Sequence, residues 1–404
     1  MYGNWAFSWV QIIAHNKVVF GVVWGGLSLL IAAGAMNLQQ QVSAESWGLL
    51  LLAIVLMGAA VAKFLDSMKT ALLQVGLSLY ILAISLGALG WLGKSLDANS
   101  LLGLVVLVTI MTSNLIHILS TLLREMARGL FQFDAVAEAL KLNNSPIFLS
   151  NFTSMLGFAF AAWYEPELAG MAWIVGIGAL MSYLATLTLL PMILLSWLLE
   201  FRVGNSDDRY GYVSVVKWMK ASPNKVKAIT GLFAVLFAVL LWLQNEALPS
   251  FNGLWGVVSL LLVLFTLFWK DVKLSLLNTL SNLLALVCSI LVFVLLTPES
   301  SLSLLLVMMP MGLIVDDGIH FFSRYVRAKQ GLFSDPESAV RYSMASVGRP
   351  IWMTSWIMML GMAVLLFSGQ TLVQQASLMT MAALVIATFI TLFLVPAYLL
   401  FRVR

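Results

Sequence analysis

The sequence predicts an all-α polytopic membrane protein, twelve transmembrane helices arranged as two parallel six-helix repeats. Three observations carry that prediction. Apolar runs of spanning length recur along the chain, basic residues gather at alternate connections, and the second half restates motifs of the first. The composition leaves little alternative. Of 404 residues 61% are hydrophobic and 10% charged, at a mean hydropathy of +0.98, where a soluble protein carries about 25% charged residues.

A span needs about 20 apolar residues. In the first half such runs fall at 18–36, 48–64, 70–92, 101–122, 146–163 and 170–199. In the second half they fall at 226–245, 253–269, 274–297, 302–325, 350–368 and 376–401. The shortest, 48–64 and 253–269, end in Lys63 and Lys270, whose long stems reach the headgroup region. Residues 1–17, with Trp5, Phe7, Trp9, Ile12 and Ile13 ahead of Lys17, read as an interfacial helix leading into an uncleaved anchor.

With both termini inside, 21 of the 22 lysines and arginines fall in inner segments and only Lys94 in an outer loop. Positive-inside sorting produces that asymmetry. It accounts for the net charge of +4 and removes the reason to expect a nucleic-acid partner. The expected location is a cell inner membrane, crossed many times, with cytoplasmic termini. The longer connections, 123–145, 200–225 and 326–349, lie on the inner side, and two contain amphipathic stretches, Asp134–Leu142 and Asp335–Met344. These are expected to lie along the cytoplasmic face.

The halves, 1–203 and 204–404, repeat each other. PIFLSNFTSMLGFA from Pro146 answers PIWMTSWIMMLGMA from Pro350, HNKV at His15 answers PNKV at Pro223, and SNLIH at Ser113 answers DDGIH at Asp316. An even number of spans per copy gives both the same orientation, a parallel repeat about an axis along the membrane normal.

Of the 18 acidic residues only Asp316 and Asp317 lie deep in a span. Counted from Leu302, Asp316 stands roughly 4 Å to the inner side of mid-span. An aspartate at helix centre costs about 2.5 to 3.5 kcal/mol, and intramembrane acids mark proton and ion pathways. His320 is four residues from Asp316 and three from Asp317, within reach of either, and Arg324 follows a turn later. The pair and His320 are thus the candidate proton relay. In the first half Ser113 and Asn114 stand in the places of the two aspartates, while His117 keeps that of His320. Neither Ser nor Asn titrates, so proton binding is confined to one repeat. Thr354 and Ser355 on the following span are the expected partners of the aspartates. Ser150, Asn151, Thr153 and Ser154 in the first half read as interhelical glue.

Other chemistries lack their motifs. No GxxxxGK[ST] couples the chain to ATP, and no GxSxG elbow supports a hydrolase, so no enzyme activity is expected. One cysteine, Cys288, and three dispersed histidines offer neither a disulfide framework nor a recognisable metal site, so no cofactor or metal is expected.

GLIVDDGIHFFSRY, the amphipathic stretch after it, and VGRPIWMTSWIMMLGMAVLLFSG resemble the resistance–nodulation–division (RND) superfamily, most of all its MMPL-type exporters. TSNLIHIL, REMARG and NNSPIFLSNFTSMLGF are similar to the same family in the first half. The resemblance implies an RND permease-like fold. It also implies that Asp316 is the proton-relay acid, with Asp317 the less regular second position. Relatives insert a large extracytoplasmic porter domain between the first and second spans of each half. Here those places hold only Asn37–Trp47 and roughly Asn245–Gly253.

The expected function is proton-motive-force-driven export of a hydrophobic or amphiphilic, lipid-like molecule by a transmembrane core. Its partners would be membrane lipids, protons, that substrate and a separate periplasmic protein. Two alternatives stay open: a non-transporting lipid-binding sensor or scaffold subunit, sharing its fold with sterol-sensing domains, and an engineered porter-deleted core without activity.

Overall fold

The computed structural model describes residues 5–39, 42–97, 100–197, 212–243, 252–297, 304–333 and 335–401. Among them the chain is helical throughout, with no strand. Ten helices among the described residues are long and apolar enough to cross a membrane. The two expected spans short of that mark are 253–269, which falls on α11 (Asn252–Trp269), and 350–368, on α14 (Pro336–Leu365). α11 contributes only the stretch Trp255–Trp269, and α14 carries Arg349, Thr354 and Ser355 within its run. The second inter-span link, Asn245–Gly253, lies mostly outside the described residues. The first is short, α3 beginning at Ala44 after a 3-10 turn over Ala33–Asn37.

The chain divides into two compact units, Met1–Ser206 with Trp356–Gln374, and Asp207–Ser355 with Gln375–Arg404. In the first unit α5 (Ser100–Ala127) is central, with α3 (Ala44–Leu65), α4 (Met68–Trp91), α6 (Gln132–Tyr164) and α7 (Ala169–Leu187) packed on it. Its apolar window is buried throughout, which explains how it tolerates Thr109, Thr112, Ser113, Asn114, His117 and Thr121: each polar group faces protein rather than lipid. α2 (Lys17–Ala32) is the opposite case, apolar all round with no buried residue, as a lipid-solvated helix should be. It ends where Gly34 meets the backbone of Gly87 so closely that no Cβ would fit on either.

The expected interfacial helix is α1 (Trp5–His15). Ala6, Val10 and Ile13, spaced on one helical face, are buried against α6 and α8 (Leu189–Ser196), and the Trp9 indole donates to Leu187 O at 2.8 Å. The amphipathic stretch Asp134–Leu142 does not lie on a surface as a separate piece. It is continuous with the following span as α6, Pro146 included. Its residues Ala135, Val136, Ala139 and Leu140 are buried, and Asn143 donates to Thr121 towards the C-terminal end of α5. An amphipathic helix buries its apolar stripe on whatever apolar surface is nearest, and α6 packs on α5, α7 and α1.

In the second unit α13 (Leu304–Gly331) is the buried helix, with α11, α12 (Val272–Leu296) and the π turn Ile390–Leu394 against it. Both units interrupt their last span near a proline. α7 breaks at Thr188 before Pro191, whereas α15 (Thr371–Phe389) passes through the π turn into α16 (Val395–Phe401) and Pro396. Proline cannot donate to the carbonyl four residues back, and a break or a locally widened turn absorbs the loss.

Candidate functional site

Helical geometry separates the two aspartates of α13. Asp316, His320 and Arg324 recur every four residues on one stripe, and Asp317 points about 100° away. All four side chains are buried, Asp317 at 4% and Arg324 at 1% exposure. His320 Nε2 stands 3.5 Å from Asp316 Oδ1. That is an ion-pair distance and beyond a good hydrogen bond.

Asp317 meets hydroxyls from two other helices. Ser355 of α14 and Thr388 of α15 each donate to its Oδ2 at 3.0 Å. The hydroxyls are also 2.6 Å from each other, and each can donate instead to its own helix, Ser355 to Ile351 O at 2.9 Å and Thr388 to Leu384 O at 2.8 Å. Two hydroxyl hydrogens therefore face a carboxylate oxygen, two carbonyls and one another. Such a set can turn towards a charged carboxylate or away from a neutral one without moving a helix.

Of the expected partners, Ser355 meets Asp317 and Thr354 does not. The Thr354 hydroxyl donates to Pro350 O and Ile351 O. Adjacent helical residues point about 100° apart, so only one of them can face α13, and Thr354 is satisfied by carbonyls of its own helix. Thr388 was not singled out in the sequence, where it is one of two threonines within the apolar run ALVIATFITLF.

The first unit builds a neutral cluster at matching places. Asn114 Nδ2 donates to Ser182 Oγ at 2.9 Å and to Asn151 Oδ1 at 3.3 Å, and Asn151 Nδ2 donates to Ala179 O at 3.1 Å. Asn114, Asn151 and Ser182 precede Asp317, Ser355 and Thr388 by 203, 204 and 206 residues. Ser113 and His117 are buried beside this cluster on α5. The His117 carbonyl accepts from Thr121 and Asn143.

Residues 256–402 match the model of the MMPL family. Among solved structures the chain is similar to SecDF, a translocon-associated membrane protein from Thermus thermophilus. The TM-score is 0.71 at 16% identity, covering 89% of this chain and 62% of that one. SecDF in its super-membrane-facing form gives 0.67 at 16% identity, covering 88% and 61%. The chain thus spans about three fifths of the length of the SecDF chains it matches. No curated protein matches its sequence significantly. The family match and the shared fold agree with the resemblance read from the sequence: residues 256–402 carry the MMPL family's sequence pattern, and most of the chain has the fold of SecDF.

Proposed function

We propose that this RND-type, transporter-like membrane protein is driven by the proton-motive force and moves a hydrophobic or amphiphilic, lipid-like molecule out of the bilayer. Asp317 and Asp316 carry the proton, and His320 stabilises Asp316. The observation that carries the reading is the buried Asp317 carboxylate met on one oxygen by Ser355 and Thr388. An acid in the hydrophobic interior is costly. This one sits among hydroxyls that can follow a change in its charge by rotation alone, and those hydroxyls belong to α14 and α15. Loading or unloading a proton on α13 therefore alters hydrogen bonding to two further helices. The hydrogen bonds that Asn114 donates go to the neutral side chains of Asn151 and Ser182, so its role is structural on this reading.

The family resemblance points to Asp316, and the hydrogen bonds from Ser355 and Thr388 bring Asp317 into the assignment beside it. The test is proton flux into proteoliposomes under an imposed pH gradient, read with an entrapped pH-sensitive dye. Asp317→Asn and Asp316→Asn should each lower it at least about tenfold, the change equivalent to 1.4 kcal/mol in a barrier. Wild-type flux in both variants would leave the lipid-binding scaffold as the better reading.

A further inference from the structure

Beside the aspartates, α12 presents a second set of buried polar groups to α13. Ser275, Asn278, Thr279 and Asn282 recur at three- and four-residue steps, and all are buried. They form one stripe rising about 10 Å from the end capped by Asp271. The Ser275 and Thr279 hydroxyls donate to carbonyls of their own helix, at Asp271 O and Ser275 O. The asparagines differ. Neither Nδ2 nor Oδ1 of Asn278 has a hydrogen-bond partner among the described residues, and Asn282 Nδ2 has none either. Asn278 is wholly buried, and a Cβ on Gly318, the residue after Asp317, would overlap its carboxamide oxygen.

In the first unit the corresponding amide has its nitrogen tied to protein, although its Oε1 has no partner among the described residues. Gln74 and Ser78, 204 residues before Asn278 and Asn282, are buried on α4. Gln74 Nε2 donates to Ser78 Oγ and to Thr112 Oγ1, both at 3.1 Å. The counterpart of Thr112, 203 residues on, is Val315. The second unit thus keeps an amide at this place, shortens it by one methylene and replaces its hydroxyl acceptor with an isopropyl group. A buried amide without a partner costs about 1–3 kcal/mol per group, and ordered water is what satisfies such groups in folded proteins.

We propose that the α12 stripe is a water-binding passage that exchanges protons between the α13 aspartates and the Asp271 end of α12, with Asn278 holding the water nearest Asp317. This inference rests on the proton-carrying role given above to those aspartates. A water held by the Asn278 carboxamide takes a proton from the carboxyl as it gives one to the next water along the stripe, and the reverse step reloads the acid. One proton crosses per step and no other bond changes. Gly318 is then the close-approach residue that lets the amide lie beside the acid, and Val315 keeps the amide from being tied up by protein.

The test follows carboxyl exchange directly. In lipid-reconstituted protein at acid pH, the protonated carboxyl stretch of Asp316 and Asp317 is read by infrared spectroscopy after transfer to D2O. The bands are assigned by their loss in Asp316→Asn and Asp317→Asn. Asn278→Leu should slow exchange about tenfold, the worth of one lost hydrogen bond. Val315→Thr, which restores the acceptor seen in the first unit, should slow it as well without lowering the melting temperature. Exchange at the wild-type rate in both folded variants would overturn the passage. Proton flux separates the two claims. Flux lost in the aspartate variants but unchanged in Asn278→Leu sinks the passage alone, whereas flux retained in the aspartate variants sinks the proton-driven reading itself.

Discussion

Asn114 with Asn151 and Ser182, and Asp317 with Ser355 and Thr388, are two polar knots at matching places in the two units, and they behave as different materials. In the first, planar amides make three donations in fixed directions to neutral acceptors, none of which changes with a proton. In the second, one carboxylate oxygen, two rotatable hydroxyls and two carbonyls admit at least two arrangements. Replacing an amide by an acid therefore does more than add a charge. It turns a satisfied interhelical tie into a group whose partners depend on its proton. The same contrast recurs one helix away, where Gln74 is tied to Ser78 and Thr112 and Asn278 has no protein partner among the described residues.

The largest test of that contrast converts the second knot into the first. Asp317→Asn should leave a folded protein, since Asn114 shows the amide fits such a place, and should remove most proton flux in proteoliposomes. Retained flux would erase the functional difference between the knots. The reverse exchange, Asn114→Asp, puts an acid where the neighbours are an amide and one hydroxyl. It should cost up to about 3 kcal/mol, seen as a lower melting temperature, and should not create a second proton route. A stable variant with doubled flux would mean that the acid alone suffices and the hydroxyl pair is incidental.

Smaller effects distinguish the hydroxyls. Thr388→Val and Ser182→Ala each delete a side-chain partner and should each cost about 1 kcal/mol of stability. Only Thr388→Val should slow proton flux, because only its hydroxyl meets an acid. Equal effects on flux would show that packing, not hydrogen bonding to Asp317, is what the variants disturb.

The smallest difference is at the start of α6 and α14. Asp335 Oδ2 accepts from the Ser338 amide at 2.7 Å, while Phe131 at the equivalent end of α6 makes no side-chain cap. The Ser338 backbone N–H, helped by its hydroxyl, holds the Asp335 carboxyl below the usual carboxylate range. A group with a lowered folded pKa stabilises above its unfolded value of about 3.9 and loses that contribution as pH falls through the folded value. Protection of the Ser338 amide against hydrogen exchange should accordingly drop in acid and in Asp335→Ala. The first turn of α6 should show no such acid step.

Much of the fold and part of the site were legible in the residues themselves. Spans read from apolar length correspond to helices because a backbone in lipid must satisfy its own hydrogen bonds, a constraint that acts locally. The acids of α13 stood out for the same reason, being expensive where they are. Thr388 did not, since one hydroxyl in an apolar span looks like any other until the neighbouring helices are known. Ser355 and Thr354 were indistinguishable by type, and only their directions separated them.

The amino-acid order by itself determined the membrane class, the helices, the repeated motifs and the presence of an acid at mid-span, all of which depend on composition and spacing along one chain. The tertiary structure decided which side chains Asp317 meets, that the amphipathic stretch before Pro146 buries its apolar residues, and that Asn278 is left without the partner its counterpart Gln74 enjoys. Those outcomes depend on distances between helices far apart in sequence, where a rotation of about 100° between neighbouring residues separates a hydrogen bond from a lipid contact.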